Sequence, residues 1–273
     1  MRKKLKKQKM IAEILLILGL LSTVTFTILF IKEPLFYFGI IGGLILVVFG
    51  NGIFKKVKET ITEDLVPEVY EANLGTTYIH RPLEGFNSGN VYLTNLFTPQ
   101  DRFFSYDLVS GEIYGFKYKL SEIEFLDTKK ELKNFILSDV LFKGLFIEVN
   151  TESRIKESIY IVPKKTTLYD YLGEEHLITF DGKLKEYFNV FSKNKKETKN
   201  LIESDFGKTL EEIVKTFPEM YIAIKKHAIY IGINSRKNPL SVRMFMRLDL
   251  SYLDILDKEL SAIKEIVYSL YKK

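Results

Sequence analysis

Three histidines, two pairs of adjacent glutamates and one short acidic motif are the residues of this sequence whose chemistry could build a site. His80, His176 and His227 could bind zinc or move protons, but they form no HExxH or His-x-His spacing. A zinc site would need the fold to gather them from distant segments. Ser204 to Gly207 reads SDFG, three letters of a kinase metal motif, yet no Gly-rich phosphate loop or catalytic-loop counterpart accompanies it. Neither GxxxxGK[ST] nor GxGxxG occurs, and no serine sits in a GxSxG elbow. Glu174 and Glu175, or Glu211 and Glu212, would work as acid and base only if buried opposite another titratable group; adjacent glutamates otherwise decorate a wet surface. Cysteine is absent, which excludes disulfides, thiol nucleophiles and thiolate metal sites. The sequence nominates no catalytic residue, no cofactor and no metal ligand, and it leans away from an enzyme.

The elements that would position any site fall into two unlike parts. Residues 1–58 carry ten Lys and Arg against Glu13 and Glu33; since the whole chain is +5, residues 59–273 sum to −3. The basic balance thus belongs to the start of the chain. A nucleic-acid binder carries its positive excess on the folded domain, so nucleic acid is not expected as a partner.

Six of the first nine residues are cationic, and Ile14 to Ile31 then runs for eighteen residues without a charge. Leu35 to Phe54 adds twenty more. Roughly 20 apolar residues at about 1.5 Å rise cross a hydrocarbon core of about 30 Å. Both runs are long enough, giving two expected transmembrane helices at about 12–31 and 35–54. A secretory signal has a core of only about 7 to 15 residues and a small-x-small cleavage site; neither fits, so an uncleaved anchor is expected over a removed signal peptide. Lys32, Glu33 and Pro34 alone separate the runs, which makes a hairpin, with Pro34 suited to open the second helix. Cations precede the first run and KKVK follows the second, so the positive-inside rule places both termini in the cytoplasm, at the plasma (inner) membrane. Counted inward from the turn, Thr27 and Thr23 lie level with Gly39 and Gly43, where close helix approach is expected. Glycine is also simply common in membrane helices, and a homodimer through the same face is an alternative. Ser22, Thr23, Thr25 and Thr27 can bond their own backbone carbonyls.

Val57, Ile61, Leu65 and Val69 recur every four residues and predict a neck helix over 59–75, divided at Pro67 and stopped at Gly75. Residues 76–273 read as one cytoplasmic α+β domain, mainly antiparallel sheet with flanking helices. EIYGFKYKL alternates Tyr114, Phe116, Tyr118 and Leu120 against Gly115 and two lysines, a strand period. GLFIEVN and SIYIVP repeat it, and MYIAIKKHAIYIGIN reads as a hairpin around Lys225, Lys226 and His227. With 21 Phe, 16 Tyr and no Trp, aromatics supply much of the core. Between Lys193 and Phe217 one or two short helices are expected, with Gly207 as a break. Leu253, Leu256, Leu260, Ile263, Val267 and Leu270 step by three and four, an amphipathic C-terminal helix. Packing against the sheet is the expected use of that stripe, a dimer seam the alternative.

LFTPQDRFFSYDLVSGEIYGFKYKLSEIEF, then LFKGLFIEV, YIVPKK, LKEYFNVFSKNKKETKNLI and MYIAIKKHAIYIGI follow one another between residues 89 and 240. In that order of blocks the chain resembles the bacterial family catalogued as domain of unknown function 3137. The resemblance implies two spans near the start and a cytoplasmic α+β domain. Where the family tends to carry an Ala-Arg pair, this chain has Thr198, Lys199 and Asn200. The family supplies no catalytic residues to carry over. The expected function is a non-catalytic interaction or scaffold module held at the inner face of the membrane, with the lipid bilayer and other membrane or cytoplasmic proteins as partners. The alternatives are a membrane-tethered hydrolase or transferase whose site assembles from dispersed residues, and a pleckstrin-like barrel that binds lipid headgroups.

Overall fold

The Lys- and Leu-rich opening of the chain is already helix: in a computed structural model, α1 covers Arg2–Phe30. The structure describes residues 1–31, 33–75, 77–130, 136–151, 155–169, 175–236, 244–245 and 248–271. The sequence places the start of this helix near residue 12. It begins ten residues earlier because Arg, Lys, Leu and Met are all good helix formers, and because Leu5 and Lys9 extend the buried stripe of Ala12, Leu16 and Gly19. Pro34–Phe36 forms a short 3-10 turn, with Pro34 at its first position, and leads into α2, Tyr37–Glu59.

The chain divides into two compact units, one made of Met1–Tyr70 with Asn238–Asp254, the other of Glu71–Lys237 with Ile255–Lys273. In the first, α2 buries Gly43, Gly50, Phe54 and Val57. Small residues set the helix spacing. A Cβ added to Gly19 would stand 2.7 Å from the Gly43 carbonyl oxygen, and one added to Gly50 would stand 2.9 Å from that of Ala12. Thr23 does oppose Gly43, as expected, while Gly39 meets the Phe26 ring rather than Thr27. Thr23 and Thr27 donate to their own helix, at Gly19 O (2.8 Å) and Thr23 O (2.7 Å), but Ser22 donates across to Gly39 O at 3.3 Å.

Pro67 does not divide the following helix. Thr60–Leu65 widens into a π-helical segment, where the Val66 N–H bonds Ile61 O, five residues back, and α3 (Val66–Leu74) continues. Widening absorbs the N–H that proline lacks and the bulk of its ring. Gly75, at φ +83°, ends α3 with its N–H on Glu71 O, as a left-handed cap residue should.

The second unit is built on nine antiparallel strands among the described residues: β1 Tyr78–Arg81, β2 Arg102–Ile113, β3 Phe116–Lys130, β4 Ile136–Asn150, β5 Ile159–Pro163, β6 His176–Leu177, β7 Phe188–Ser192, β8 Met220–Ile224 and β9 Ala228–Ile233. Their order is β1-β2-β3-β4-β9-β8-β5-β7-β6. The late hairpin β8–β9 thus slots between the meander β1–β4 and the remaining strands. With β1 and β6 at its two edges the sheet is open, so it is not the closed barrel that a pleckstrin-like reading requires. EIYGFKYKL is two strands rather than one. Ile113 pairs with Phe116, and Tyr114 (φ 52°) and Gly115 (φ 83°) form the two-residue turn between them. Two positive φ values in succession match the twist of a tight hairpin. Downstream of that turn, the alternation from Phe116 to Leu120 holds, and Tyr118 and Leu120 are buried.

Register gives the two sheet faces different chemistry. Leu120, Ile147, Ile231, Ile222 and Ile161 stand opposite one another across five strands, Val149, Ile229, Ile224 and Ile159 do so across four, and all are buried. On the other face Phe97, from the segment after α4 (Ser88–Tyr92), lies 5.0 Å from the ring centroids of Phe125 and Tyr221 and 5.3 Å from that of Phe142. Gly232 makes room for it: a Cβ there would be 3.0 Å from the Phe97 ring.

Helices α5 (Lys195–Glu203), α6 (Asp205–Ile213) and α7 (Ser251–Tyr271) carry the matching aliphatic stripes. Leu256, Leu260, Ile263 and Val267 are fully buried within the chain, so the heptad-like spacing of α7 serves packing inside it. Tyr271 seals the end of α7, its ring tilted against Phe116 with centroids 4.5 Å apart and its hydroxyl hydrogen-bonded to Thr151. The break between α5 and α6 falls at Ser204, not Gly207. Gly207 lies inside α6, and glycine is required there because an added Cβ would overlap the Ile202 carbonyl oxygen.

Candidate functional site

The titratable groups singled out by the sequence are dispersed. His80 lies on the edge strand β1, with Nε2 3.4 Å from Asp107 Oδ1; Asp107 sits at φ 59° in a bulge of β2 between Tyr106 and Val109. His176 belongs to the opposite edge strand, β6, and His227 to the β8–β9 turn. Opposite edges of one sheet cannot supply ligands to one ion, and no group of three or more metal-capable residues forms among the described residues. Glu211 and Glu212 lie on α6, Glu175 is half-buried, and Glu174 lies outside the described residues. SDFG is a helix start: the Ser204 hydroxyl accepts from Phe206 N, Asp205 pairs with Lys208 at 3.0 Å, and Phe206 is core.

Other polar groups are gathered, and spacing in the sequence gave no sign of them. Lys225, in the β8–β9 turn, sends its ammonium to Leu93 O (3.1 Å) at the end of α4, 5.9 Å from the Tyr160 ring and 5.8 Å from that of Tyr230. Burial lowers its proton affinity, partly countered by Glu175. Burial likewise holds the Tyr160 phenol up, against hydrogen bonds to Ser158 and Asn95. A desolvated amine is a usable base or nucleophile. This one is already committed to a carbonyl and two ring faces, so it clamps α4 to the sheet.

At the end of β9, Glu219 accepts from Asn234 Nδ2 at 2.5 Å and from Arg236 at 3.2 Å. The Asn234 side-chain oxygen accepts from Lys143 N at 2.9 Å, and Lys143 pairs with Glu124 at 3.1 Å. These bonds close the backbone where β4 and β9 part company. Nearby, burial and the charges of Glu122 and Glu124 raise the Tyr106 phenol far above its ordinary value.

Two grooves stand out among the described residues of this unit. One, about 270 Å³, runs between the end of α6 and α7, lined by Glu212, Thr216, Phe217, Lys258, Ser261 and Glu265. The other, about 410 Å³, is an open trough over β1–β3 with Ile79, Ser110, Glu112, Lys117 and Lys119. Neither contains a histidine or the Lys225 amine.

The most distinctive surface belongs to the helix pair. Ile14, Leu21, Val24 and Ile28 on α1, and Leu44, Val48 and Phe49 on α2, are between 47 and 71% exposed. Monomeric soluble proteins rarely present apolar patches beyond a few hundred Å², and both helices are long and apolar enough to cross a membrane by length and composition. Arg2, Lys3, Lys4, Lys6 and Lys7 on α1, with Lys55, Lys56 and Lys58 on α2, are exposed at one end of this belt. The Lys9 ammonium, 6.0 Å from the Phe54 ring, ties the two basic stretches together.

The model of the family described as "Protein of unknown function (DUF3137)" matches residues 140–272, from β4 to the end of α7. The blocks before residue 140 that share the resemblance lie outside that match. A solved structure described as the crystal structure of the mycobacterial trehalose monomycolate transport factor A, TtfA, is similar at a TM-score of 0.41 and 10% identity, covering 74% of this chain and 92% of that one. No curated protein matches the sequence.

Proposed function

We propose that this chain is a membrane-anchored module whose helices α1 and α2 cross the plasma (inner) membrane as a hairpin, with both termini and the sheet unit in the cytoplasm. The exposed apolar belt that ends in a collar of eight cations carries this reading: lipid tails solvate the belt, and the collar belongs on the cytoplasmic side. The sheet unit acts by binding other proteins rather than by catalysing a reaction. Its gathered polar groups, Lys225 and the Glu219–Asn234–Arg236 cluster, are spent on each other and on backbone.

The absence of native cysteine allows a direct test. Single-cysteine variants Glu33→Cys, in the turn between the helices, and Lys117→Cys, exposed on β3, are treated in intact cells with a membrane-impermeant maleimide. Labelling of Glu33→Cys alone is expected, with Lys117→Cys reacting only after permeabilisation. Labelling of Lys117→Cys in intact cells overturns the topology.

A further inference from the structure

Within the helix-pair unit one turn has the wrong character for a water-facing loop. Met244 and Phe245 form a turn in which Phe245 is 59% exposed and Met244 37% exposed. Phe245 adopts φ +59°, a left-handed conformation that a bulky aromatic enters only when its surroundings hold it there. The hold is visible: its backbone N–H donates to Glu13 Oε1 at 2.6 Å. Glu13 also pairs with Lys9, whose side chain is buried against α2. A part-buried ion pair on α1 therefore fixes the height of the turn along the helix.

That height is informative. Glu13 is the residue immediately before the uncharged run that begins at Ile14. Met10, Ile11 and Ile14, on the same stretch of α1, are 53, 39 and 47% exposed, so the turn adds to the apolar belt at its edge. Just beyond lies the cation collar. An aromatic ring placed between an apolar belt and a ring of cations matches the chemistry of the membrane interface, where acyl chains give way to headgroups.

We infer that the Met244–Phe245 turn is a third membrane contact, an apolar tip set into the interfacial layer beside α1. The inference rests on the proposed insertion of the helix pair. It gives Met244 and Phe245 a role separate from packing: they attach the chain to the bilayer surface at a point far in sequence from the hairpin.

The chain contains no tryptophan, so a single introduced one is an unambiguous reporter. The full-length variants Phe245→Trp and Leu21→Trp are reconstituted separately into phosphatidylcholine–phosphatidylglycerol vesicles, with circular dichroism confirming the fold. Each is quenched by brominated acyl chains and, independently, by aqueous iodide. Leu21 lies 60% exposed in the middle of the apolar run, so its tryptophan reports insertion of the helices by itself. Phe245→Trp is expected to lose most of its emission to bromolipid and little to iodide. Bromolipid quenching at Leu21→Trp, with iodide quenching alone at Phe245→Trp, overturns the third contact while leaving the hairpin intact. Shielding of Phe245→Trp from both quenchers also overturns it, because protein then covers the turn. Failure of bromolipid to quench Leu21→Trp overturns the membrane reading itself, and the inference with it. Met244→Trp, one residue earlier, repeats the measurement should tryptophan at 245 disturb the turn.

Discussion

Large and small apolar residues exchange places between the two units. In the helix pair the contact is made by Gly19, Gly43 and Gly50 together with Ala12, while Leu21, Val48 and Phe49 face outward. In the sheet unit Phe97, Phe125, Phe142 and Ile231 are inside, and charged side chains such as Lys117 and Glu112 are outside. Each unit is apolar enough to pack, but along its two apolar runs the first keeps most of its large side chains outside, whereas the second turns them into its core. In the first, the helices approach closely at glycines, with Leu16, Phe54 and Val57 buried beside them while Leu21, Val48 and Phe49 stay outside. Burial of aliphatic and aromatic surface stabilises a fold in water; close small-residue contact stabilises one where the surroundings are as apolar as the side chains.

This contrast can be broken most strongly at Phe97. Its ring touches Phe125, Phe142 and Tyr221, and Phe97→Ala should cost about 3–5 kcal/mol of sheet-unit stability in denaturant melts. Leu21→Ala, in detergent, should fall within about 0.5 kcal/mol of the parent, since its side chain is exposed. An equal loss at both positions would remove the distinction.

A second expectation concerns pH. Burial pushes the Tyr221 phenol up to about 12 from an ordinary value of 10, against a hydrogen bond with Thr166. The unfolded chain gives up this proton first, so the stabilisation is complete below pH 10 and is lost as pH rises towards 12. The loss is on the order of 2–3 kcal/mol. A melting series from pH 9 to 12, with phenolate absorbance followed in parallel, should show the sheet unit weakening as a late phenol ionises. Tyr221→Phe should flatten that slope.

The smallest of the three effects sharpens the other side of the comparison. Gly43→Ala places a methyl against Thr23 N at 2.7 Å and Gly19 O at 2.8 Å, whereas Gly42 has nothing within 4 Å of an added Cβ. Overpacking should cost Gly43→Ala about 1–3 kcal/mol in thermal melts of the detergent-solubilised chain. Gly42→Ala should match the parent or exceed it, because alanine is the better helix former. Equal behaviour of the two glycines would mean that the helix contact is not set by the small-residue face.

Periodicity within one element was legible throughout. The two uncharged runs, the β8–β9 hairpin, the strands at GLFIEVN and SIYIVP, the stripe of α7 and the stop at Gly75 all follow from spacing and residue type, since each is decided by neighbours a few residues away. Local pattern and structure part where a residue has two local uses. Tyr114–Gly115 continues a strand alternation but also makes a tight turn, and Gly207 looks like a helix break although it serves a close contact with Ile202. Pro67 has the look of a helix divider, yet a π-helical turn absorbs it.

What the chain determined alone is therefore an apolar helix pair ahead of an antiparallel α+β unit, because 3.6-residue and two-residue periods are written in adjacent positions. Only the tertiary structure decided that β8–β9 inserts between β4 and β5, that Lys225 clamps Leu93, and that Glu13 fixes the Phe245 turn. Those pairings join residues as far as 232 positions apart. They depend on which distant surfaces fit once the chain has closed on itself, a property of shape and depth that no local pattern of residue types records.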